Sequence, residues 1–297
     1  MDILVQQLTN ALVIGSFYSL IALGYSMVYG IIKLLNFAHG DLYMVGAFAG
    51  FTVLSFFTGE TGVLGIAVAF FVAMIVTGLL GMGIERIAYR PLLSSSRLTI
   101  LITAVGVSLV LENGVMLQTG PSFKVFPNQL PITGFQLAGA TVTYSQVGLI
   151  LLSVLLMIAL QWFVHGTMYG KAMRAISIDQ TATSLMGIPV HRIISMTFFI
   201  GSALAAAAGM MAGLYYGQIS FMMGFIVGLK AFTAAVIGGI GSIPGAMLGG
   251  LVLGLLETFG TIYVGGEWKD VFAFAILILI LTLKPTGLLG EKVTERV

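Results

Sequence analysis

The sequence has 297 residues, of which 58% are hydrophobic and 8% charged, with a mean hydropathy of +1.07. Soluble domains carry about 25% charged residues, so this composition belongs to a polytopic membrane protein. Cysteine is absent, which excludes disulfides and thiol-ligated metal, and the net charge of +2 is too small to suggest a nucleic-acid partner.

Met1–Asp2 leads almost directly into apolar sequence with no basic n-region and no small-residue cleavage site, so the first span is expected to stay in the mature protein. A helix crosses hydrocarbon in about 20 apolar residues. Charge-poor stretches of that order run over Leu8–Ile31, Leu42–Phe57, Val63–Ile84, Leu98–Leu117, Ser145–Val164, Ile193–Tyr215, Phe225–Ile240, Pro244–Val264 and Val271–Leu283. The prediction is an all-α transmembrane bundle of about eight or nine spans, forming a single domain over 1–297. The second, seventh and ninth stretches are short, which fits broken or re-entrant helices. All seven prolines lie between or at the ends of the stretches. Small residues at four-residue spacing, such as Gly46/Gly50 and Gly250/Gly254, predict close helix packing.

Lys and Arg set the orientation. Lys33, then Arg86, Arg90 and Arg97, then Lys171, Arg174 and Arg192, then Lys284, Lys292 and Arg296 fall on alternate loops, ten of the thirteen positive residues. That side is expected to be cytoplasmic, with the N-terminus outside and the C-terminus inside. Only Lys124 and Lys269 lie opposite, and Lys230 falls within the seventh stretch. Segment 165–192 is then a cytoplasmic loop and 120–144 an extracytoplasmic one.

The loop 165–192 is long for a chain otherwise built for lipid. Asp179 is a plausible N-cap for a short helix over Gln180–Met186, with Gly187 at the C′ position and Pro189 beyond it. Ala182, Leu185 and Met186 share one apolar face. Two turns of helix are marginal alone in water, so this helix is either a connector leaning on the membrane or a docking element for a cytoplasmic protein. Gly166–Lys171 and Gly238–Gly245 are glycine-rich, but neither has the spacing and flanking elements of a nucleotide site. With no HExxH, no GxSxG and no acidic metal cluster, the chain carries no visible catalytic machinery, and any ATPase would be another chain.

Ionisable groups at membrane depth are costly and therefore candidates for function. Glu112, Lys230 and Glu257 interrupt the fourth, seventh and eighth stretches. Lys230 paired with one of the glutamates is the economical arrangement, with direct substrate contact as the alternative. Asn36–Asp41 (NFAHGD) gathers an amide, an imidazole and a carboxylate between the first two spans. A plain cytoplasmic turn explains it, and so does a broken helix whose polar end lines a pathway, with Asn36, His39 and Asp41 on that path.

The strings MVYGIIKLLNFAHGDLYMVGAF, IERIAYRPL, SLMGIPVHRI and GLKAFTAAVIGGIGSIPGAMLGG resemble one family, the LivH-type permeases of branched-chain amino-acid ABC importers. The likeness runs from about Asn10 to Gly290. It implies a non-enzymatic subunit of the bacterial inner membrane that holds no cofactor itself. It would work with a homologous second permease (LivM type), two ATP-binding subunits that bind ATP and Mg, and a periplasmic or lipid-anchored binding protein. Leucine, isoleucine and valine are the implied substrates, and related urea, amide and other amino-acid importers share much of the pattern. The resemblance makes 165–192 the coupling loop, with Arg174, Asp179, Ala182, Gly187 and Ile188 as contacts to the ATPase. It departs from the better-known loop pattern in that Arg174-Ala175-Ile176 stands near where a Glu-Ala-Ala triplet opens the motif. A self-contained secondary transporter is the competing class, supported only by Glu112 and Glu257.

Overall fold

The computed structural model describes residues 2–57, 62–93, 95–127, 133–137 and 139–290, so Lys292 and Arg296 lie outside the described residues. Each of the nine apolar stretches is helical, because a backbone in hydrocarbon has only itself as a hydrogen-bond partner. In chain order the first are α1 (Asp2–Ile32), α2 (His39–Phe56), α3 (Gly62–Ile84), α4 (Arg97–Thr119) and α5 (Tyr144–Gly166). Two short helices, α6 (Met168–Ile178) and α7 (Gln180–Leu185), occupy the polar loop. Then follow α8 (Val190–Tyr216), α9 (Met223–Gly238), α10 (Ile243–Val264) and α11 (Lys269–Leu283).

Six helices, α1, α3, α4, α5, α8 and α10, are long and apolar enough to cross a membrane. The short stretches of the sequence are the short helices α2, α9 and α11. Segment 120–144 is more than a loop. It holds β1 (Lys124–Val125), which pairs antiparallel with β4 (Gln218–Ile219) just after α8, and a hairpin of β2 (Gly134–Leu137) with β3 (Ala140–Thr143).

α1 and α8 form the centre and are buried on nearly all sides, whereas α3, α4 and α5 present most of their surface outward. The small residues let backbones touch. A Cβ added to Gly46 of α2 would sit 2.2 Å from Ala206 Cα of α8, and one on Gly250 of α10 would meet the Ser19 backbone of α1 at 2.3 Å.

The bundle contains an internal repeat of opposite direction that the sequence reading missed. α1 packs against α10 as α8 packs against α3, and α2 against α3 as α9 against α10. The connections into α2 and α9 share one local geometry. The His39 N–H donates to the Asn36 carbonyl at 3.1 Å, and the Met223 N–H to the Ser220 carbonyl at 3.2 Å. The preceding residues, Ala38 (φ −66, ψ −6) and Met222 (φ −86, ψ −7), are nearly superimposable in dihedral angle. Asn36-Phe37-Ala38-His39-Gly40 and Ser220-Phe221-Met222-Met223-Gly224 are thus equivalent turns. Their glycines touch, since a Cβ on Gly40 would lie 2.5 Å from the Gly224 carbonyl oxygen. Two helices therefore begin inside the bundle with their N-termini together, an arrangement that serves transport in proteins built from inverted repeats.

Candidate functional site

The turn Lys33–Ala38 folds the chain back into the bundle, so that α2 starts three residues earlier than its apolar stretch and with its first turn buried. Asn36, His39 and Asp41 are all buried, which excludes a plain exposed turn. Asn36 Oδ1 accepts from the Tyr89 hydroxyl at 2.6 Å. The His39 ring stacks edge-on against Tyr25 with centroids 4.8 Å apart, and it lies in the notch between Gly24 of α1 and Gly201 of α8. Its Nε2 and both Asp41 carboxylate oxygens lack a hydrogen-bond partner of normal geometry. From α4, Ser108 reaches Asp41 and Glu112 is near enough to act on it electrostatically. Glu112 itself is half-buried on a helix that otherwise turns apolar residues outward.

Lys230 and Glu257 form a separate site. Lys230 Nζ lies 2.9 Å from Glu257 Oε1 and 2.6 Å from Asp270 Oδ1, while the Tyr18 hydroxyl donates to Glu257 Oε2 at 2.8 Å. Lys269 Nζ stands 3.8 Å from the same glutamate. The predicted pairing of Lys230 with a glutamate is present, and the sequence reading missed Tyr18, Lys269 and Asp270. Two lysines against two carboxylates make the cluster neutral and tie the start of α11 to α9, α10 and α1.

A third polar group was also missed. Arg90 grips Glu85 bidentately (Nε–Oε1 3.0 Å, Nη2–Oε2 2.9 Å), and the Ser195 hydroxyl donates to Glu85 Oε2 at 2.6 Å. It fastens the end of α3 to α8 where the helix winds loosely through Glu85–Tyr89.

In the polar loop α7 has the predicted caps. The Asp179 side chain accepts from the Ala182 N–H at 2.9 Å. At the other end Gly187 has φ +81, its N–H reaches the Ser184 carbonyl at 3.0 Å, and the Ile188 N–H reaches Thr183 at 3.4 Å. That doubly bonded stop needs a left-handed residue, hence glycine. Thr183 is the residue α7 buries. Leu185 and Met186 stand 83% and 82% exposed, with Ala182 exposed beside them. Ahead of α7, residues expected from the sequence to be loop form α6, which buries one face through Gly170, Met173 and Ile176. Arg174 of α6 turns inward, where its Nη1 donates to the Val164 carbonyl, and so stands apart from the Ala182–Gly187 surface.

The sequence profile described as the permease component of the branched-chain amino acid transport system matches residues 7–281. The chain belongs to this permease family. It is 46% identical to the high-affinity branched-chain amino acid transport system permease protein BraD of Pseudomonas aeruginosa, over 98% of this chain and 97% of that protein. Identity to the Escherichia coli K12 permease protein LivH is 44% with the same coverage. A probable branched-chain amino acid transport permease protein of Methanocaldococcus jannaschii is 27% identical over 95% of this chain and 91% of its own length. Among the described residues no group of His, Asp or Glu has the arrangement of a metal site.

Proposed function

We propose that this chain is, over its whole length, the membrane-spanning subunit of an importer that carries branched-chain amino acids across the bacterial cytoplasmic membrane at the expense of ATP hydrolysed elsewhere. Its near full-length similarity to permeases named for that transport carries the proposal. Two ATP-binding subunits, holding ATP and Mg, work from the cytoplasmic side. A substrate-binding protein delivers the amino acid outside, and a homologous second permease completes the membrane unit. The N-terminus faces outward, because Lys33, Arg97 and the loop bearing α6 and α7 gather at one end of the bundle.

α7 is the coupling element. Asp179 and Gly187 hold its ends, and Ala182, Leu185, Met186 and Ile188 present the surface that a partner covers. Such an apolar patch on a capped helix fits a groove on a second protein. The turn bearing Asn36, His39 and Asp41, with Glu112 beside it, is the polar part of the path. Alternating access then amounts to rocking the two inverted halves about the Gly40–Gly224 crossing.

The test is ATP-driven leucine uptake into proteoliposomes holding the complete importer. Gly187→Pro forbids φ +81 and removes the N–H that closes the helix. Uptake is expected to fall at least tenfold while the subunits still co-purify. Unchanged uptake in an intact complex would end the coupling assignment.

A further inference from the structure

Where α1 ends, a cavity of about 250 Å³ opens at the end of the bundle that also carries α7. Its walls come from the last residue of α1, the turn after it, the segment leading into α4, the first turn of α4 and the first residue of α7. Ile100 is buried and Leu34 and Leu93 are half-buried, so the inner wall is aliphatic. Lys33, Ser95, Arg97 and Gln180 are exposed and make the mouth.

The charge in the pocket is all of one sign. Lys33 and Arg97 line it, and no carboxylate does. Among the described residues neither cation has an ion-pair partner, and Lys33 has only the ring of Tyr29, 5.9 Å from its Nζ to the centroid. Asp179, next to Gln180 in sequence, is engaged by the Ala182 N–H and is not part of the wall. Arg97 is the first residue of α4, so the positive end of a 23-residue helix adds to the same field.

Two further observations point to a ligand and to its kind. Lys33 has φ +54 and is the only non-glycine among the described residues with a left-handed backbone. Its N–H closes α1 on the Tyr29 carbonyl at 2.8 Å, a position that glycine usually fills. A lysine adds nothing to that turn except a cation at the mouth of the pocket. On α4, Leu98, Ile102, Val105 and Leu109 are exposed at four- and three-residue spacing, which makes one apolar stripe starting beside Arg97. In a bilayer the stripe lies among acyl chains and Arg97 lies at headgroup depth.

We infer that this pocket holds the headgroup of an anionic phospholipid, its phosphate between Lys33 and Arg97 and an acyl chain along the α4 stripe. Ser95 and Gln180 supply hydrogen-bond donors beside the two cations. A basic pocket between spans is suited to such a headgroup. A free phosphate would meet the same cations and leave the stripe unused, and so would a carboxylate of a partner protein. Because Gln180 opens α7, the bound lipid bridges α7, α1 and α4. The inference needs only that the chain lies in a membrane, so it is tested separately from the proposed transport.

The experiment is native mass spectrometry of the full chain with its accompanying subunits, released from phosphatidylcholine bilayers that contain increasing phosphatidylglycerol. One phosphatidylglycerol per chain is expected to stay bound, in preference to phosphatidylcholine. Lys33→Gly suits φ +54 while removing the cation, so the fold is kept. The proportion of phosphatidylglycerol at half occupancy is expected to rise about fivefold in this variant and about fivefold in Arg97→Gln. Arg86→Gln removes an exposed cation outside the pocket and should keep the parent occupancy. An equal loss in Arg86→Gln would reduce the effect to general surface charge and overturn the inference. So would parent occupancy in the double variant Lys33→Gly/Arg97→Gln. Displacement of the lipid by inorganic phosphate, but not by chloride at equal ionic strength, would make this a site for the free anion. Occupancy in the isolated chain that disappears in the assembled complex would give the pocket to a partner protein. Either result also overturns the inference.

Discussion

Replacing Lys230 by methionine tests whether the buried charge cluster is held as a unit. Glu257, 5% exposed at its side chain, would then keep only the Tyr18 hydroxyl at 2.8 Å and the distant Lys269 at 3.8 Å. Leaving such a carboxylate without its main partner costs about 3 to 5 kcal/mol. The opposite substitution is gentler. Glu257→Gln still accepts from Tyr18 and leaves Lys230 paired with Asp270 at 2.6 Å, so about 1 to 3 kcal/mol is expected. Asp270→Asn alters a side chain that is 44% exposed overall but whose Oδ1 is buried against Lys230, while Lys230 keeps Glu257, so about 1 to 2 kcal/mol is expected, less than for Lys230→Met. The double variant Lys230→Met/Glu257→Gln removes both buried charges and should recover to within about 2 kcal/mol of the parent. Unfolding by denaturing detergent in mixed micelles, followed by the fluorescence of Trp162 and Trp268, gives the four values and a coupling energy of at least about 2 kcal/mol. Additive single substitutions, or an Asp270→Asn variant as damaged as Lys230→Met, would refute this account.

Three further outcomes follow from local geometry. Asp179→Ala removes the cap on α7 and costs about 1 kcal/mol, so amide exchange at Ala182 and Thr183 should quicken about fivefold with no change in global unfolding. Gly46→Val drives a side chain into Ala206 and is expected to cost more than about 3 kcal/mol, whereas Gly83→Val points into open space and should keep its unfolding midpoint. Glu85→Gln weakens the bidentate grip of Arg90 and its link to Ser195, lowering stability by about 1 to 3 kcal/mol, and Arg90→Lys should recover less than the parent value because a lysine cannot bridge both oxygens.

Features decided by neighbours in the chain were legible in the sequence. Nine apolar stretches became nine helices, and α7 ends where Asp179, Gly187 and Pro189 say it should, because caps are local chemistry. α6 escaped notice although Gly170, Met173 and Ile176 recur at three-residue spacing, since lysine and arginine between them read as loop. Pairings across the bundle were harder. Lys230 announced that it needed a carboxylate, but Asp270 stood just outside the last apolar stretch. Arg90 looked like one more orienting cation, and nothing near Glu85 in sequence pointed to Ser195. The polarity of the turn at Asn36 is plain in the sequence and its depth is not, though its twin at Ser220 shares the phenylalanine and the glycine. Placement explains its oddest member. Asp41 lies in the first turn of α2, and a Cβ on Gly224, in the first turn of α9, would come within 2.7 Å of its carboxylate. Each helix N-terminus carries roughly half a positive charge, so two of them offset a carboxylate whose side-chain neighbours on α4, Ser108 and Glu112, bring no positive charge. That compensation resides in the backbone of an inverted repeat, where a search for matching side chains would not find it.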